Sequence, residues 1–158
     1  MSRAMATGSP SLEALRTDPR ILWTDDVLRF RDTDRNGHVN NSVFSVLCES
    51  GRVHLFREHI DPGLPPGHFF VIVRLNIEFR AELHYPGAVR TGTWVTRVGR
   101  TSITLEQALV CGTRVAATAE GVCVLLDGAS RRPAALPEEA QRGASAFMRH
   151  APPETPRP

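Results

Sequence analysis

The stretch from Arg29 to Arg52, RFRDTDRNGHVNNSVFSVLCESGR, brings carboxylates, amides, a glycine and a histidine together just ahead of an apolar periodic run. Asp34 is the acid best placed for chemistry, because a carboxylate there can attack a carbonyl carbon or take a proton from water. A helix beginning after it would contribute the second requirement. The amide groups of a first helical turn have no intrahelical acceptor and sit at the positive end of the helix dipole, so they suit a carbonyl oxygen that is gaining negative charge. Asp32, Asn36 and His38 share the segment, and Gly37 suits a positive φ or close approach of a ligand to the backbone. Structural roles stand beside these: Asp34 can close an Asx turn or cap the helix, and His38 can be an ordinary loop histidine.

The flanking pattern shows what positions these residues. Trp23 to Arg31 ends in an apolar and polar alternation, Leu28 and Phe30 against Arg29 and Arg31, which predicts a first strand. Residues 32–41, dense in Asp, Asn and Gly, predict a turn. From Ser42 to about Ile60, Val43, Phe44, Val46, Leu47, Val53, Leu55, Phe56 and Ile60 recur mostly at three- and four-residue intervals. This is a helix with Asn40 or Asn41 as its cap and Asp61-Pro62-Gly63 as its end. It is apolar over more than one face, so a curved sheet should wrap it. Residues 69–80 supply the clearest strand, with Phe69, Val71, Val73, Leu75, Ile77 and Phe79 on one face, and strands follow at 88–98, 101–111 and 114–126. The predicted class is α+β, one long helix packed in a curled antiparallel sheet.

The bulk properties agree with a single globular domain. The 158 residues suffice for one core, with 41% hydrophobic and 23% charged residues. Residues 1–22 are expected to form a flexible segment, 23–130 the working domain, and 131–158 a Pro/Ala/Arg-rich tail. The absence of a long apolar run and of a secretory signal core predicts a cytoplasmic protein without a membrane span. A net charge of +2 does not point to nucleic acid, though it suits an anionic ligand. Cys48, Cys111 and Cys123 are odd in number, widely spaced and set in apolar segments, so they are expected as small buried hydrophobes. The six histidines show no metal-site spacing, and no metal is expected.

The segment DTDRNGHVNN resembles the signature of the 4-hydroxybenzoyl-CoA thioesterase family, D-x-D-x-x-G-H-V-N-N between a strand and the central helix of a hotdog fold. It is also similar to the D-x-N-x-H-V-N-N version in plant acyl-ACP thioesterases, matched here by Asp34, Asn36, His38, Val39, Asn40 and Asn41. The later stretches EFRAELHYPG and VGRTS agree with the same family. The resemblance implies a hotdog fold and hydrolysis of an acyl-CoA or acyl-carrier-protein thioester. It implies Asp34 as nucleophile or general base and the Asn41 backbone amide as oxyanion donor, with Asn36, Gly37 and His38 around them. Glu49, on the central helix, matches where another branch of these enzymes places its carboxylate; its structural alternative is an ion pair with Arg52. Arg97 and Arg100, flanking Gly99, are candidates for the phosphates of CoA. No separate cofactor is expected, since CoA would enter with the substrate. A helix half-wrapped by one sheet leaves strand edges and apolar surface, which predicts a homodimer or homotetramer. The alternative function is a hotdog module that binds acyl-CoA without cleaving it.

Overall fold

The alternating apolar segments after residue 67 form four strands, β2 (His68–Phe79), β3 (Gly87–Val98), β4 (Ser102–Cys111) and β5 (Arg114–Asp127), closely matching the expected spans. With β1 (Leu22–Leu28) they make one five-stranded sheet in the order β1-β3-β4-β5-β2, with every neighbouring pair antiparallel. The computed structural model describes residues 11–149. A short helix, α1 (Leu12–Thr17), precedes β1. The central helix, α2 (Asn41–Leu55), continues through a π-helical turn, Phe56–Ile60, and a 3-10 turn, Asp61–Gly63. The sheet curls across α2 in the hotdog arrangement, helped by bulges in three of the strand pairs. Among the described residues no helix is long and apolar enough to cross a membrane.

Helix and sheet meet closely at Gly51. A Cβ there would lie 2.6 Å from Thr93 Oγ1 and 2.7 Å from Gln107 Nε2, so only glycine admits this approach. The buried Gln107 amide donates to the Cys48 carbonyl at 2.8 Å and to Thr93 Oγ1 at 2.9 Å, tying the helix backbone to two strands. Phe44, Leu47 and Cys48 pack on one side of this contact with Val89, Leu109 and Ala117. Leu55, Phe56 and Ile60 pack on the other with Val95, Ile103 and Leu125. Burial pushes the Cys48 and Cys123 thiols up to about 11, so both stay protonated as the apolar fillers expected of them.

Several local expectations change. Phe30 and Arg31 do not extend β1 but enter a 3-10 turn, Phe30–Asp32, because the Asp32 carboxylate accepts the Arg29 N–H at 2.7 Å and turns the chain. The alternation in β2 does not keep one face inward. A bulge between Ile72 and Arg74 extrudes Val73, 59% exposed, so Phe70 faces the core before it and Leu75 and Ile77 after it. The sheet covers one face of α2 only, leaving Val46 and Val53 exposed.

The expected loose ends contain packed chain. Within residues 11–22, Leu15 is fully buried and joins Ile21, Trp94 and Ala108. Beyond residue 130, Leu136 and the Ala140 and Ala144 faces of α3 (Glu138–Ser145) complete the core beside Ile60. Small residues spaced four apart let this helix approach closely, which a composition rich in Ala and Pro does not reveal. Residues 1–10 and 150–158 of the two expected flexible segments lie outside the described residues.

The two ends are joined by Asp18. Its carboxylate accepts from Arg20 Nε and Nη2, both at 2.8 Å, and from Arg149 Nε at 2.9 Å. The Arg20 bonds, ahead of the opposing effect of burial and aided by Arg149, hold the Asp18 carboxyl well below the usual carboxylate range. A lowered folded-state value stabilises the fold above the unfolded value of about 4, and that contribution is lost as pH falls through the folded value. Asp18→Asn should therefore cost about 1.5–3 kcal/mol at pH 7 and progressively less below about pH 4. Urea unfolding of both proteins at pH 7 and pH 3 measures this, and equal stability at pH 7 would refute it.

Candidate active site

The loop before α2 is held by its own backbone. Thr33 and Val39 form an isolated antiparallel bridge, the Asp34 N–H donates to the His38 carbonyl at 2.8 Å, and the Gly37 N–H donates to the Asp34 carbonyl at 3.1 Å. Closing this loop sets Gly37 at φ +80°, in the left-handed region that favours glycine. A Cβ at Gly37 would meet nothing within 4 Å, so backbone conformation, not space, selects the residue. Asp34 Oδ1 accepts the Asn36 N–H at 2.7 Å, an Asx turn. Among the described residues Oδ2 has no hydrogen-bond partner, so the turn orients the half-buried carboxylate while leaving one oxygen available.

The two asparagines at the start of α2 divide their roles. Asn40 is the cap, its side chain accepting the Ser42 N–H at 2.9 Å and its own N–H donating to the Asp32 carbonyl at 2.8 Å. Asn41 is the first helical residue, and among the described residues its N–H has no acceptor. Asp34, His38 and Asn41 line one pocket of about 270 Å³, together with Phe44, Phe79 and Glu82. A carboxylate, an available amide donor at a helix N-terminus and an apolar wall thus meet in one cleft. That set can polarise a carbonyl and deliver a nucleophile to it.

The other sequence candidates are distributed differently. The Asn36 and Gly37 side positions are exposed and lie outside the pocket wall, so their part in the site is the loop geometry. Glu49 is exposed on α2, about 12 Å along the helix from Asn41. It lines a separate groove of about 570 Å³ beside β2, with Arg52, Arg57, His68 and Phe70 among its neighbours. The alternative Glu49–Arg52 ion pair is absent among the described residues. Arg52 turns inward, 7% exposed, and among the described residues its Nη1 has no hydrogen-bond partner. Arg97 and Arg100 are exposed at the β3–β4 turn, the end of β3 remote from Gly87 and the Asp34 loop. The length of β3, roughly 35 Å, lies between them and the strand end at Gly87, which pairs with Leu28 ahead of the Asp34 loop. Neither lines either groove.

Residues 79–84 enter the site without having been singled out from the sequence. Phe79 meets Phe44 edge to face at 5.0 Å, Arg80 joins the pocket wall while bonding Glu78 and Thr118, and Glu82 faces His38 at 3.5 Å. The stretch EFRAELHYPG agrees with the family pattern in sequence, but nothing local in it assigns a role to Arg80 or Glu82. The Val39 N–H bonds the Leu83 carbonyl at 2.8 Å and brings that stretch beside the loop.

Comparison with known proteins bears on family and fold. Residues 28–143 match the family model described as the thioesterase-like superfamily. No curated protein matches significantly. A predicted thioesterase from Bacillus stearothermophilus is similar in structure, with a TM-score of 0.77 and 25% identity over 84% of this chain and 99% of that one. A thioesterase from Thermus thermophilus, solved with coenzyme A and Zn, is 32% identical over 78% of this chain and 96% of that one, with a TM-score of 0.69. A DHNA-CoA thioesterase from Staphylococcus aureus shares the fold at a TM-score of 0.71 and 17% identity, over 80% and 88% of the two chains. With the match spanning the Asp34 loop, the central helix and strands β2 to β5, this chain belongs to the thioesterase-like superfamily.

Proposed function

We propose that the protein hydrolyses an acyl-CoA thioester to a free acid and a thiol, with Asp34 as the essential group. The observation that carries this reading is the shared pocket, in which the Asp34 carboxylate and the unengaged Asn41 N–H face one cleft. The substrate carbonyl oxygen accepts from the Asn41 amide as it becomes an oxyanion. Asp34 either draws a proton from water that attacks the carbonyl carbon, or attacks it directly to form an anhydride that water then opens; in both cases the C–S bond breaks and the thiol leaves. His38 is a further donor at the cleft. Solution of the Thermus relative with coenzyme A favours CoA as the carrier. Thiol release measured over short, medium, long and aromatic acyl-CoAs, with an acyl-carrier-protein substrate alongside, tests the class; binding without release throughout would favour the non-catalytic module.

We also assign a homodimer through the free edge of β2. That edge carries exposed Ile72, Val73 and Phe79 beside exposed Val53 of α2, an apolar surface with unpaired strand groups. A second copy pairing there would cover the larger groove, put Arg52 and Glu49 at the interface and bring one protomer's groove toward its partner's Asp34 pocket. Arg97 and Arg100 would then serve CoA only from another subunit.

Asp34→Asn should lower kcat by at least about 100-fold on the best substrate. Asp32→Asn, whose effect is on the 3-10 turn, should do much less, and wild-type turnover by Asp34→Asn would defeat the assignment. Gly37→Val should lower turnover and reduce Tm by a few degrees, since the left-handed conformation costs an L-residue about 1–2 kcal/mol. Asn41→Ala, which keeps the backbone donor, should retain substantial activity; a dead Asn41→Ala beside a normal Gly37→Val would make the side chain the donor. In sedimentation velocity, Val73→Glu should shift the protein toward monomer and reduce activity with it, whereas a wild-type monomer with full activity would remove the dimer.

A further inference from the structure

A second group of ligating side chains stands at the rim of the Asp34 pocket. His38 comes from the loop before α2, and Glu82 and His84 come from the segment joining β2 to β3; their ligand atoms all lie within 4.8 Å of one another. The backbone explains the meeting. The Val39 N–H to Leu83 carbonyl bond clips the two segments together, and the Leu83 side chain is buried, so Glu82 and His84 on either side of it turn outward toward His38. The His38 and His84 rings stand edge to face with centroids 5.1 Å apart.

The separations are those of shared ligation more than of hydrogen bonding. His38 Nδ1 is 3.5 Å from Glu82 Oε1, and His84 Nε2 is 3.5 Å from Glu82 Oε2. Both exceed the usual range of about 2.7–3.2 Å for an N–H to O bond. A tetrahedral zinc ion about 2.0–2.1 Å from each ligand sets neighbouring ligand atoms about 3.4 Å apart; each imidazole stands near that separation from a different Glu82 oxygen, so a small turn of this exposed carboxylate would offer one oxygen to both. Among the described residues neither imidazole has another hydrogen-bond partner, so no competing contact holds the rings away from an ion.

We infer that His38, Glu82 and His84 form a binding site for a divalent transition-metal ion of the zinc type. Two imidazoles and one carboxylate suit zinc and its neighbours and do not suit magnesium, which prefers an all-oxygen shell. His38 would bind through Nδ1, the nitrogen facing Glu82, and the ion would tie the Asp34 loop to the segment after β2 at the mouth of the pocket. Metal binding at this rim is measured without any acyl substrate, so its failure is distinguishable from failure of the thioesterase reading.

The test is calorimetric titration of tag-free full-length protein with zinc alone, beside Glu82→Gln and His84→Ala, with magnesium as a control. Expected are one zinc per chain, no heat with magnesium, and affinity at least about tenfold weaker in each variant. Both changes are at exposed side chains, and thermal unfolding in EDTA should show both variants folded with Tm close to wild type. X-ray absorption of the zinc-loaded protein should show nitrogen and oxygen ligands, including imidazole. No zinc binding by the wild type, unchanged affinity in His84→Ala, or sulfur in the zinc shell from one of the cysteines would each overturn the site.

Discussion

The placement of everything near Asp34 depends on how closely α2 lies on the sheet at Gly51. Thr91, Thr93 and Gln107 form a buried polar seam beneath that glycine, and Gln107 donates to both the Cys48 carbonyl and Thr93. Apolar packing alone is tolerant of small rotations and slides. A hydrogen-bonded seam is not, because displacing the helix would strand buried polar groups at a cost of about 1–3 kcal/mol each. The seam therefore locks the helix along its axis and about it, and with them the direction in which its first-turn amides point. A glycine in a helix interior ordinarily weakens it by up to about 1 kcal/mol relative to alanine. Here that cost is offset by the closeness it permits.

From this contact two cores extend in opposite directions. The cluster around Phe44 and Leu47 reaches toward the Asp34 loop through Val39 and Leu83, so the loop's apolar anchor is part of the domain core. The second, around Leu55 and Ile60, reaches α3 and uses its small side chains to close the far end of the helix. Between them the β2 bulge reverses which residues face inward. It allows one strand to serve both cores and leaves Val73 at the open edge. The same strand then continues into the segment of Arg80, Glu82 and His84, so sheet and site are mechanically continuous.

The Asp34 loop shows how a short polar sequence acquires direction. Its Asx turn uses one carboxylate oxygen and leaves the other available, while Asn40, by accepting the Ser42 N–H, caps the helix and leaves the Asn41 N–H without an acceptor among the described residues. Capping and exposure are thus complementary. An N-terminal turn satisfied at one position presents its remaining donor to the pocket, the arrangement on which the proposed thioester chemistry rests.

The α+β class, the long helix and the four later strands were legible in the sequence because their periodicities are local properties of the chain. The Asp34 segment was legible for a similar reason: turn residues, a cap and a helix start are contiguous, and the motif resemblance lay in the same ten residues. The sequence did not disclose the burial of Leu15 or of the α3 face, since small and scattered apolar residues have no strong period and gain meaning only from the surface they meet. Nor did it disclose the inward turn of Arg52 or the remoteness of Arg97 and Arg100, which depend on helix rotation and strand direction. The convergence of His38 with Glu82 and His84 is the plainest case. These residues lie more than forty positions apart, and only the tertiary pairing of Val39 with Leu83 brings their side chains within reach of one another.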